Sequence, residues 1–348
     1  MIDYTHCTIE SVAVHRVGNK TNGEDLRCSK KLLDISDLKL RELLARFFIK
    51  PFKTPEFYNL TFSNEDFRLN PIFSFASTIF EDSTSLHDTS VSIAKQLFEV
   101  SSHPHIKPGD LFVAKFSNIE LDGSPAEAIG IFKSENQHSF LKFEDETDEF
   151  HLTYEDGINI DKLDKGCLIF NEDKAEGYKV CIIDKSNKSN EAQYWKDTFL
   201  HLKPCNDDYH STKDFLNITK QYLTTQVSEE FEIQKADKID LLNKSVEYFK
   251  SHDSFDKEEF ENDVFSDNEL IESFRNFDDQ YRETNDIPHQ DNFEISSHAV
   301  KKQSKGFKSV LKLDKNFHIY IHGDRNQIEH GIDPDGRKYY KVYYTHEQ

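Results

Sequence analysis

The sequence is short of the residues that mark several protein classes. Five cysteines stand at positions 7, 28, 167, 181 and 205. Their number is odd, their spacing is wide and no Cys-x-x-Cys pair occurs, which argues against a disulfide framework or a four-thiolate zinc site. With 12 Gly and 9 Pro in 348 residues, the chain is not collagen-like. No apolar run approaches the roughly 18 residues of a membrane-spanning helix. The start, Met1-Ile2-Asp3-Tyr4-Thr5-His6, lacks the basic and apolar regions of a secretory signal. A cytoplasmic protein with no membrane partner is expected. Enzyme signatures are missing too: there is no Gly-x-x-x-x-Gly-Lys-Ser/Thr loop, Gly-x-Gly-x-x-Gly, Gly-x-Ser-x-Gly elbow or His-Glu-x-x-His. No catalytic residue and no cofactor is therefore assigned.

Core material is nevertheless plentiful. Only 36% of residues are hydrophobic, yet 29 Phe and 14 Tyr supply bulk enough for a sizeable core and separate this chain from a disordered one. Residues 1–205 mix helix and strand. Residues 8–18 read as a strand ending in a turn at Gly18-Asn19-Lys20. Ser36 is placed to cap a helix carrying Leu40, Leu43, Leu44, Phe47 and Phe48 at helical spacing. A second helix is expected over 90–101. Strands follow at 111–116, 128–133, 140–143, 167–170 and 178–183, with turn signals at Asp122-Gly123, Asp156-Gly157 and Glu176-Gly177. Sequential strands with short loops predict a largely antiparallel sheet with packed helices, an α+β fold. Residues 206–300 read as helical, with Tyr209, Phe215 and Tyr222 on one helix and Leu241, Leu242, Val246 and Phe249 on another. Residues 301–348 read as β-hairpins, expected to pack with 206–300 as one domain. Cys167 and Cys181 read as small buried residues.

Charge is distributed unevenly. The whole chain carries 43 Lys+Arg against 64 Asp+Glu, a net −21. Residues 251–300 hold fifteen acidic against three basic residues, a net −12, whereas 301–348 hold ten basic against six acidic, a net +4. A uniform −21 would repel a polyanion, so the basic segment is where nucleic acid could be met.

If Phe317, Ile319 and Ile321 face the core, strand alternation puts His318, Tyr320 and His322 on the other face. In the last strand, read over 337–344, Arg337, Tyr339, Lys341 and Tyr343 share a face. With Lys308 and Lys312 on the preceding strand, these cations and aromatics form a candidate DNA-binding surface, able to meet phosphates and stack on bases. The plainer reading is a half-exposed sheet in which Tyr covers the core edge and Lys is solvated. No metal site is assigned: residues four apart on a strand lie about 13 Å apart, too far for His318 and His322 to share an ion. The run Glu144-Asp145-Glu146-Thr147-Asp148-Glu149 lacks calcium-loop spacing and reads as a solvated hairpin tip.

Several segments, taken in chain order, resemble one family. They are His15-Arg16-Val17-Gly18-Asn19-Lys20, 44–52, Asn70-Pro71-Ile72-Phe73, 101–111, 160–170, Tyr194-Trp195-Lys196-Asp197-Thr198-Phe199-Leu200 and 307–314. The chain resembles the 37-kDa nucleoid-associated bacterial proteins, the NdpA/YejK family, in its Bacteroidetes-type branch. The resemblance implies a non-enzymatic cytoplasmic protein of the nucleoid that associates with DNA, as a sequence-independent duplex, and with chromosome-handling proteins. It transfers no DNA-contact residue, so the candidates above rest on strand geometry alone. An alternative reading is an acidic adaptor recruited to the nucleoid by a DNA-handling partner without touching DNA. Homo-oligomerisation is compatible with both.

Overall fold

A computed structural model describes residues 2–3, 5–52, 56–146, 149–185, 194–307, 310–321 and 327–346, with backbone only at 144–146 and 149. The chain divides into two units, Met1–Cys205 and Asn206–Gln348.

The first unit contains β1 (Thr8–Val17), α1 (Leu38–Ile49), β2 (Phe57–Leu60), α2 (Pro71–Glu81), α3 (Leu86–Val100), β3 (Gly109–Leu121), β4 (Ser124–Ser134), β5 (His138–Glu146), β6 (Glu149–Gly157), β7 (Lys165–Phe170), β8 (Lys179–Asp184) and β9 (Leu202–Pro204). Its nine-stranded sheet runs β9-β2-β8-β7-β4-β3-β1, flanked by the short strand Arg27–Cys28, with Ile2–Asp3 also paired to β3. Every pairing in it is antiparallel. The fold is α+β, as the strand spacing predicts.

The central strands read as unbroken apolar runs because helices cover both faces of the sheet. Along β3, Leu111 and Val113 pack with α2, α3 and the turn of helix Tyr194–Leu200, while Phe112, Ala114 and Phe116 pack with the end of α1. On the α1 side, Phe48 stacks on Phe132 at 4.4 Å between ring centroids. Gly177, between β7 and β8, has φ 101°, and a Cβ there would strike the Leu60 carbonyl oxygen, so only glycine fits this turn.

Three local expectations change. Asp37, not Ser36, caps α1, accepting from the Leu40 amide at 3.0 Å. The buried end of α1 is Phe47-Phe48-Ile49, and Leu40 lies exposed near its start. Asp156-Gly157 is not a turn but the end of β6, where Asp156 accepts from Ser139 Oγ at 2.6 Å across the ribbon. The helix α2 goes unsuspected, and its start is marked by Pro71. It stands at the first helical turn, where its missing N–H costs nothing, and Asn70 caps the Ile72 and Phe73 amides.

The second unit holds α4 (Asp208–Gln221), α5 (Lys235–Ser251), α6 (Lys257–Val264), α7 (Asn268–Asn285) and α8 (Ser297–Gln303), followed by β10 (Val310–Leu313), β11 (Phe317–Tyr320), β12 (Ile328–Ile332) and β13 (Lys338–Val342). Its helices close around an aromatic core that includes Phe215, Tyr222, Phe249, Phe260 and Phe274. The acidic helices bury carboxylates only with cation partners. Asp278 receives Lys257 at 2.7 Å and Arg282 at 2.5 Å, and Glu261 receives Arg275 at 2.6 Å.

Candidate nucleic-acid interface

Two ribbons carry the candidate residues. In the first, β10 pairs with β11 so that Lys312 lies directly opposite His318 and Val310 opposite Tyr320. Leu311 and Ile321 are buried with Ile239 of α5 and Ile328 of β12, and the Asn243 side chain donates to the Ile321 carbonyl at 3.1 Å. Anchoring that inner face to α5 turns Lys312, His318 and Tyr320 outward, and all three are exposed. Phe317 departs from expectation. It is 64% exposed rather than core-facing, because it sits at the turn end of the ribbon, opposite Leu313, beyond the small apolar cluster. Lys308 and His322 lie outside the described residues.

In the second ribbon, β12 pairs with β13 and sets Glu329 opposite Lys341 and Gly331 opposite Tyr339. Tyr339 and Lys341 thus share a face, as alternation predicts, and Tyr340 points the other way toward the apolar cluster. The Tyr339 ring covers Gly331, which leaves it room by having no side chain. Lys341 lies 3.6 Å from the Glu329 carboxylate and 4.7 Å over the Tyr343 ring.

Arg337 is a correction. The strand begins at Lys338, and Arg337 belongs to the preceding turn together with Gly336, whose φ is 80°. Asp333 makes this turn: its Oδ1 accepts the amides of Asp335 at 3.0 Å and Arg337 at 2.8 Å. The Arg337 guanidinium then donates to Asp333 and Asp335, both at 3.1 Å. Tyr343 likewise lies past the end of β13, its amide bonded to the Gln327 carbonyl. Two of the candidate cations, Arg337 and Lys341, therefore already face carboxylates. Lys312 makes no ion pair among the described residues. The sequence marks Asp333-Pro334-Asp335-Gly336 as a turn but not the neutralising role of Glu329, Asp333 and Asp335; an Asp four residues before Arg across that turn is the signal for the Arg337 pair.

Elsewhere the most perturbed groups are fully engaged in structure. His15, next to Ser90, has the look of a base beside a nucleophile, with Nε2 2.8 Å from Ser90 Oγ. Yet the Ser29 amide donates to His15 Nδ1 at 3.2 Å, which leaves the proton on Nε2. Ser90 spends its own proton on the His87 carbonyl at 2.6 Å. This imidazole donates to the serine and has no free nitrogen with which to deprotonate it. Burial lowers the Lys133 ammonium, which is saturated by the Lys107 carbonyl at 2.6 Å, Glu135 at 3.0 Å and the Tyr194 hydroxyl at 3.3 Å. Burial also pushes the Cys167 thiol up to about 12, away from reactivity. No group of three or more metal-ligating side chains occurs among the described residues, and no described helix is long and apolar enough to cross a membrane.

No curated protein matches the chain. The family model described as the nucleoid-associated protein YejK matches residues 13–337, from the first long strand through the Asp333 turn. The chain belongs to that nucleoid-associated family.

Proposed function

We propose that this nucleoid-associated protein contacts the DNA backbone directly, without sequence preference, through the outward face of the first C-terminal ribbon. The observation that carries this reading is the exposed Lys312–His318 cross-strand pair with Tyr320 beside it, in a C-terminal segment whose net charge is positive although the chain is acidic. A lysine positioned on a β face supplies a phosphate contact, and an exposed tyrosine supplies a stacking or sugar contact. With Arg337 and Lys341 neutralised inside the second ribbon, the first ribbon is left with Lys312 and the exposed Lys315 of its turn, about two phosphate contacts and thus weak binding. Reversing Lys312 to Glu is expected to weaken binding to a mixed-sequence duplex by about tenfold or more at low salt. Fluorescence anisotropy of a labelled duplex reads this directly. Unchanged affinity in a Lys312→Glu/Tyr320→Ala protein would remove this face from the account.

The carboxylates beside Arg337 and Lys341 favour a second reading, an adaptor held at the nucleoid by a DNA-handling protein. Recovery of such a partner that survives nuclease treatment, from a protein with no DNA affinity of its own, supports that alternative.

A further inference from the structure

We propose that the β5–β6 ribbon is a dimerisation arm whose apolar face packs against the same face of a second copy of this chain. The ribbon forms its own two-stranded sheet, separate from the nine-stranded one. Its register gathers Leu141, Phe143, Phe150, Leu152 and Tyr154 on a single face. These five side chains are 62–76% exposed, and Phe143 stacks on Phe150 at 5.5 Å. An isolated two-stranded ribbon is marginal in water, and a contiguous apolar patch of this kind is not left uncovered without reason.

The arm is presented, not trailing. Asp164, just before β7, accepts the Glu135 and Asn136 amides at 2.7 and 3.1 Å and the Asn136 side chain at 2.7 Å. This clamp fixes the base of the ribbon and reduces the ordering cost of docking its face.

Area and charge select the occupant. Side chains of this size and exposure offer about 700 Å², so two copies bury about 1,400 Å², within the range of a specific interface. A two-fold axis through the rung of Phe143 and Leu152 brings Phe150 of one copy onto the rung of Leu141 and Tyr154 of the other, an isologous contact. DNA and an anionic membrane are both disfavoured by a sequence that carries five carboxylates among residues 144–149 and a net −21 overall.

Sedimentation equilibrium on the full chain, compared with a Leu141→Glu/Leu152→Glu variant, tests the assignment. Both positions are exposed, so the far-UV circular dichroism of the variant is expected to match the wild type, while its thermal midpoint falls only by what loss of the dimer removes. The wild type should be a dimer, and the variant's dimer dissociation constant should rise at least about a hundredfold, since each copy would bring two carboxylates into apolar contact. A wild-type chain that stays monomeric at the highest soluble concentration overturns the proposal, and so does a variant that dimerises as tightly as the wild type. Because neither variant residue lies on the C-terminal ribbons, unchanged DNA binding by the variant separates this result from the fate of the DNA-binding reading.

Discussion

His15 shows how burial sets the behaviour of a single residue in this protein. Burial, and secondarily the charge of His87, push its pKa from 6.5 down to about 4. The unfolded chain takes up this proton near pH 6.5, whereas the folded protein declines it until about pH 4. The native state therefore keeps its full share of stability above pH 6.5 and loses it as the pH falls through that window, by roughly 3 kcal/mol. Urea titrations of wild type and His15→Gln at about pH 7 and about pH 4.5 compare the two. The variant should lose less stability over that interval than the wild type. An equal loss would mean that the imidazole is protonated in the folded state.

At the scale of the element, the second C-terminal ribbon restrains its own charge. Glu329 faces Lys341 across the two strands. Glu329→Gln should release the ammonium, raising affinity for duplex DNA about two- to fivefold at low salt and steepening the salt dependence by about 0.9. A variant with the wild-type affinity and slope would show that this ribbon stays off the DNA. The same ribbon shows what sequence can and cannot reveal. Alternation placed Tyr339 and Lys341 on one face because the strand period is fixed by backbone geometry. It extended the strand to Arg337 because nothing in a period of two announces that Asp333 will take up the Arg337 amide. The large sheet was legible for the opposite reason: strands such as Leu111-Phe112-Val113-Ala114 are apolar at every position, and only a sheet covered on both faces accommodates that. The arm was half legible. Its Leu141-Lys142-Phe143 and Leu152-Thr153-Tyr154 segments alternate cleanly, but whether their apolar face meets core or solvent depends on tertiary placement that local sequence does not encode.

For the whole molecule, the net −21 is an average over unlike parts. The acidic helices of the second unit consume part of their charge internally, as in the Asp278 and Glu261 pairs. The basic C-terminal segment in turn loses part of its positive charge to Asp333, Asp335 and Glu329. On the proposed reading, what remains for DNA on the C-terminal ribbons is a small outward face, and binding through it is weak with a shallow salt dependence. The most direct measurement is the affinity of the full-length protein for a mixed-sequence duplex across a series of salt concentrations. Neutralising about two phosphates predicts a plot of log K against log salt that is linear, with a slope of roughly −2. A flat plot, or no binding at the lowest salt, would contradict direct contact and leave the nucleoid association to a protein partner.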